Sequence, residues 1–139
     1  MPVFLDAGYF IALFNTRDPY YAIARRWMIV LTRSRRPQLT TTAILLEVGD
    51  GFARRESWHR IRAFLRTVCF DSLLTVVPVD CALFDRARRF KEARDDKGWG
   101  LTDCISFLTM QDHGVTEALA ADRHFVQAEF RALLLEPPP

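Results

Sequence analysis

Lysine is nearly missing from this sequence: Lys91 and Lys97 are the only two, and every other basic side chain is arginine. Arginine forks suit phosphates and carboxylates, but 19 basic residues against 17 acids leave a net charge of only +2. Charge alone therefore does not argue for a nucleic-acid partner. Cysteine is also scarce. Cys69, Cys81 and Cys104 are odd in number and lack a Cys-x-x-Cys spacing, so they are expected as reduced core residues of a cytosolic protein. The three histidines, His59, His113 and His124, show no metal-ligand spacing. No basic leader opens the chain, and Asp6 interrupts its first apolar stretch. Neither a signal peptide nor a membrane span fits, and a cytoplasmic location is expected. A Gly-rich phosphate loop and a Gly-x-Ser-x-Gly elbow are both absent. The Asp6-Ala7-Gly8 turn lacks the second aspartate of haloacid dehalogenase-type phosphatases. Without repeats, low complexity or a linker, one domain is expected.

What is present is half apolar residues and 26% charged ones over 139 positions, enough to bury a core without disulfides or structural metal. Val3 to Leu5 reads as a buried strand, with Asp6 at its carboxyl end and Gly8 marking the turn into a helix over Tyr9 to Phe14. Asp18-Pro19 reads as the start of a second helix through Ile23, Trp27, Val30 and Leu31. Gln38 to Thr41 is a second strand. Thr42 is the expected cap of a helix facing the core with Ile44, Leu45, Val48 and Phe52, and Glu47 lies at the edge of that face. Ser57 opens another helix, Leu73 to Val79 is a third strand bearing Pro78 near an end or edge, and Asp80 caps the helix through Phe90. Thr102 is the expected cap of a helix that buries Cys104, Ile105 and Leu108 and stops at Gly114. Ala118 to Ala121 then ends at Asp122.

Short strands alternating with helices imply a parallel sheet covered on both faces, an α/β sandwich. In such sheets the ligand crevice lies beyond the carboxyl ends of the strands. Asp6 and Asp122 sit at such ends, and Glu47 and Asp103 sit near helix starts that open on the same edge. Each acid also has a plainer reading. Asp103 gains about 0.3 to 1 kcal/mol from the helix dipole wherever it points, Glu47 suits a solvated helix border, and Asp122 suits a turn. If the four do converge, unit charges about 4 Å apart repel by roughly 4 kcal/mol each at an effective dielectric near 20, so the cluster needs a counterion. Oxygen ligands without His or Cys favour Mg²⁺ or Mn²⁺ over zinc, and such ions serve phosphodiester hydrolysis.

Four segments carry a resemblance. Phe-Leu-Asp-Ala-Gly-Tyr-Phe with Asp6, Thr-Thr-Ala-Ile-Leu-Leu-Glu-Val with Glu47, Leu-Thr-Asp-Cys-Ile-Ser-Phe with Asp103 and Ala-Asp-Arg-His-Phe with Asp122 and Phe125 resemble, in order, the motifs of the PIN domain family. Within it they are most similar to the VapC-like ribonuclease toxins of prokaryotic toxin–antitoxin pairs. The matches run from Val3 to Leu133. The resemblance implies a PIN-like three-layer α/β/α sandwich with a short-stranded parallel sheet, residues 1–139 as a single PIN domain, and Pro137 to Pro139 as a frayed tail. It also implies a metal-dependent endoribonuclease, with Asp6, Glu47, Asp103 and Asp122 as catalytic and metal-binding residues and Mg²⁺ or Mn²⁺ as cofactor. The implied partners are an RNA substrate, a cognate VapB-like antitoxin and a second copy of the chain in a homodimer, with no membrane.

Three positions depart from the family pattern: Gly8, Gly100, where a serine commonly precedes Leu-Thr-Asp, and Ala121. None removes a carboxylate, but each bears on the hydrogen bonds that orient ligands. They give the alternative of a catalytically weak or silent PIN-like RNA- or protein-binding module, and a DNA rather than RNA substrate is a further alternative. Asp96 reads as a surface turn before an acid of the family pattern, Thr102 as a cap before a partner of the acids, His113 as a helix C-terminus, and His124 as a neighbour of Asp122 with contact to RNA phosphate as the lesser reading. Arg17, Arg123 and the Arg33 to Arg36 segment read as a solvated face or an RNA path. Trp27, Trp58 and the phenylalanines read as core or, in part, interface.

Overall fold

Five short strands lie parallel in the order β3-β2-β1-β4-β5 in the computed structural model, which describes residues 1–139. They are β1 (Val3–Leu5), β2 (Gln38–Thr41), β3 (Leu74–Val77), β4 (Glu117–Leu119) and β5 (Arg131–Ala132). Phe4 pairs with Leu39 on one side and Ala118 on the other, so β1 is the centre of the sheet. It is buried on both faces, as a strand in a covered parallel sheet must be.

The chain order decides where the helices go. From β1 the chain steps outward to β2 and β3, through α1 (Ala7–Phe14), α2 (Tyr21–Ser34), α3 (Thr42–Gly51) and α4 (Arg55–Thr67). It then returns across the sheet to β4 and β5 through α5 (Cys81–Glu92), α6 (Leu101–Asp112) and α7 (Arg123–Gln127). Right-handed crossovers put helices on opposite faces when the direction of travel reverses. Accordingly α1 packs on α2 and α3, and α3 on α4, while α5 packs on α6 and α6 on α7. The result is the three-layer α/β/α sandwich expected from the alternation. The reversal falls between β1 and β4, where an open parallel sheet forms its crevice.

Helix α6 anchors the second layer. Every residue from Cys104 to Met110 is buried, and Phe107 makes an edge-on contact with Phe125 of α7 at 5.0 Å and with Trp99 at 5.0 Å. Phe125 also reaches Phe4 of β1 at 6.2 Å. Aromatic contacts thus fix the first turn of α7 against both α6 and the central strand.

Several boundaries differ from those read in the sequence. The α3 cap is Thr41, whose Oγ1 accepts from the Ile44 N–H at 3.3 Å, while Thr42 Oγ1 accepts from the Val79 N–H. An N-cap must be the last extended residue, and Thr41 is the end of β2. Two adjacent threonines look alike in sequence. Asp18 does not begin α2; its Oδ1 closes a turn on the Tyr20 N–H at 2.8 Å, and the helix starts at Tyr21. Helix α4 begins at Arg55 rather than Ser57. Strand β3 stops at Val77 on the sheet edge, so Pro78 takes no ladder position. Strand β5 was not expected, two residues being too few to show a period of two. Cys104 is buried, but Cys69 and Cys81 are exposed, as are Trp58, Phe70 and Phe84. Pro137 to Pro139 carry no regular structure, and the Pro139 carbonyl accepts from Arg26 at 3.0 Å. No helix is long and apolar enough to cross a membrane.

Candidate metal centre

Asp6 follows the central strand directly. Its backbone is extended, and its N–H donates to the Leu119 carbonyl at 3.2 Å, tying the end of β1 to the end of β4. The carboxyl group is pushed up to about 7 from its ordinary value of 3.8. Burial is the main cause. The Ala7 N–H opposes it, and the charges of Glu47, Asp103 and Asp122 add to it. One half-buried carboxyl group therefore senses the three other acids named by the sequence.

Asp103 is the third residue of α6. The helix is capped by Gly100, not by Thr102 as the sequence suggested. A glycine has no cap oxygen to offer, so only the returning half of a capping box exists: Asp103 Oδ2 accepts from the Gly100 N–H at 3.1 Å. The same Oδ2 faces Nδ1 of His124 at 2.9 Å. Both bonds fall on one oxygen, which leaves Oδ1 for another partner. A Cβ placed on Gly100 would lie 3.9 Å from Asp103 Oδ2, an ordinary contact, and one on Gly8 would meet nothing within 4 Å. Two of the three departures thus leave room rather than a lost support.

Asp122 caps α7, its Oδ1 accepting from the His124 N–H at 2.9 Å, and its side chain is 42% exposed. Its role in the turn and its availability to a ligand are compatible, since the second oxygen is uncommitted. Glu47 projects from α3 and is exposed. Its carboxyl is raised above the ordinary value, first by partial burial, then by Asp103, Asp122 and Asp50, while the Thr102 hydroxyl favours the ionised form. Thr102 therefore serves this acid and not the helix end.

The tightest group is not the expected quartet. Ligand atoms of Asp103, Asp122 and His124 lie within 4.8 Å of one another, whereas Asp6 and Glu47 join through their charges. His124 is the residue that sequence reasoning undervalued. The available signal was its position two residues after Asp122, which puts it in the first turn of a helix capped by that acid. The arginine ion pairs lie elsewhere, at Arg36–Glu117, Arg86–Asp112, Arg88 and Arg89 with Asp85, and Arg131 with Glu117 and Glu136. Arg36 is thereby committed to a structural pair. Asp96 lies exposed in a short 3₁₀ turn. The donor set is rich in carboxylate oxygen, its charge is not balanced by arginine or lysine, and Asp6 and Asp103 are half-buried. That chemistry fits a hard divalent cation.

A PIN domain family model matches residues 3–131. Among solved structures, the crystal structure of Mycobacterium tuberculosis VapC20, a sarcin-ricin loop cleaving toxin, is similar in fold. The TM-score is 0.80 at 24% identity, over 94% of this chain and 97% of that one. No curated protein matches the sequence.

Proposed function

Because the chain belongs to the PIN domain family, we propose that it is a metal-dependent endoribonuclease, the toxin of a VapBC-type toxin–antitoxin pair. Its substrate is RNA, its cofactor Mg²⁺ or Mn²⁺, and its partners a VapB-like antitoxin and a second copy of itself in the cytoplasm. The observation that carries the reading is the half-buried Asp6 carboxyl beside three other acids, with no arginine or lysine paired to any of them. Burying charge without a counterion is costly, and a divalent cation converts that cost into affinity. The similarity in fold to a sarcin-ricin loop cleaving toxin supports the substrate class.

Asp6, Glu47, Asp103 and Asp122 would hold the ion, directly or through water. When bound, it supplies a polarised phosphodiester and a water of lowered pKa. The protein's own contribution is orientation and charge. Asp103 keeps Oδ2 occupied by Gly100 and presents Oδ1. Thr102 stabilises the ionised form of Glu47. Asp6 gives up a proton as the site fills, since its carboxyl otherwise holds one up to about pH 7. Purified protein freed of partner should cut RNA, tested both on an unstructured strand and on a sarcin-ricin hairpin, only with Mg²⁺ or Mn²⁺ and not with EDTA. Cleavage by Asp103→Asn at the wild-type rate would disprove the assignment.

A further inference from the structure

Among the side chains around the acidic cluster, His124 has the most specific geometry and no assigned task. We propose that His124 is a positioning residue: its Nδ1–H holds Oδ2 of Asp103, so that Oδ1 is the oxygen offered to a cation. The inference rests on the metal-dependent reading above and deepens it.

Three observations carry it. First, Asp103 Oδ2 already accepts the Gly100 N–H at 3.1 Å, so the ring nitrogen 2.9 Å away is the donor and carries the proton. Nδ1 bearing that proton has no lone pair for a metal, so the atom that faces Asp103 supports a ligand rather than being one, and the test must separate this from ligation through Nε2. Second, the ring links two acids on separate elements. Nδ1 lies 3.5 Å from Asp122 Oδ1, the same oxygen that accepts the His124 backbone N–H at 2.9 Å. Asp103 of α6 and Asp122 of α7 are thus held at one distance by a single residue. Third, the backbone that carries the ring is itself fixed. The adjacent Phe125 is fully buried against Phe107 of α6 and Phe4 of β1. His124 itself keeps a side chain 33% exposed, so it can be truncated without opening the core.

The device answers the glycine at position 100. A serine hydroxyl would add a helix cap beside the same carboxylate, whereas here the Gly100 backbone N–H and the imidazole alone hold Oδ2. Partners of this kind typically change metal affinity by about 10- to 100-fold.

Calorimetric titration with Mn²⁺ alone tests the proposal on wild type, His124→Ala, His124→Gln and His124→Asn. The asparagine amide reaches the Nδ1 position, and the glutamine amide does not. Alanine and glutamine should weaken Mn²⁺ binding about 10-fold or more, and asparagine should restore it to within about threefold. Pulsed electron paramagnetic resonance of the Mn²⁺ complex should show no nitrogen coupling from a directly bound imidazole. Wild-type affinity in His124→Ala, an asparagine variant as weak as alanine, or a nitrogen coupling that disappears in His124→Ala would each overturn the positioning role while leaving the metal site in place. Failure of wild type itself to bind Mn²⁺ would overturn the metal-dependent reading and this inference with it.

Discussion

Replacing Asp6 by asparagine should abolish cation binding and yet stabilise the metal-free protein. The folded-state carboxyl, at about 7, lies above its ordinary value of 3.8 because burial and three neighbouring acids penalise the ionised form. The metal-free fold is therefore fully stable with respect to this group below about pH 4 and loses stability as pH rises through 7. At about 1.4 kcal/mol for each pH unit between the two values, the penalty is about 4 kcal/mol above pH 7. Asparagine keeps the shape and removes the charge. No helix-cap bond is lost, because Asp6 makes none, and the asparagine oxygen still accepts from the Ala7 N–H. For a chain of this length, with about 3 °C for each kcal/mol, Asp6→Asn should melt roughly 10 °C above wild type at pH 8 in EDTA. The two should melt nearly together at pH 4.5. Mn²⁺ at 100 times the dissociation constant should shrink the gap to roughly 4 °C, since binding stabilises wild type by about 2.7 kcal/mol and leaves the variant unmoved. Thermal melts followed by circular dichroism at the two pH values, with and without Mn²⁺, make the measurement. A melting difference that is the same at pH 4.5 and pH 8 would refute the account of Asp6 as a half-buried, uncompensated acid.

Gly100→Ser should be accommodated, because the added Cβ makes only a 3.9 Å contact, and should raise stability by a few tenths of a kcal/mol through a restored cap. A fall in melting temperature would show that the α6 start is tighter than described. Thr102→Val removes the hydroxyl that favours ionised Glu47. Mn²⁺ affinity should then weaken most at the acid end of a pH series and recover as pH rises, read from titrations along that series; a uniform loss at every pH would argue against it. Phe107→Ala empties a fully buried site touching Trp99, Phe125 and Phe130. It should cost about 3 to 5 kcal/mol in denaturant unfolding, and a loss under 1 kcal/mol would mean that α7 is held by other contacts.

Much of the fold can be read along the chain because its signals are local. Apolar runs of three and four residues before Asp6 and Asp122 mark β1 and β4, the β-prone Gln38 to Thr41 marks β2, and Asp80 caps α5 as its position suggested. The errors are local too. Thr41 and Thr42, and likewise Gly100 and Thr102, cannot be ranked as caps by residue type, since the cap is set by which residue is last to be extended. Strand β5 and the exposure of Cys69 and Cys81 depend on which neighbours arrive from elsewhere.

By itself the sequence determined the alternation of strands and helices, the acids at their ends and the lack of any Cys or His spacing for a soft metal, because residue type and spacing act over a few positions. Only the tertiary structure decided how those acids relate. The reversal of the chain between β1 and β4 brings Asp6, Glu47, Asp103 and Asp122 within reach of one another's charge, and burial lifts the first of them toward neutrality. The aromatic clamp of Phe107, Phe125 and Phe4 sets His124 against Asp103. A hydrogen bond between residues 21 positions apart in sequence exists only once two helices have packed, and no local pattern encodes it.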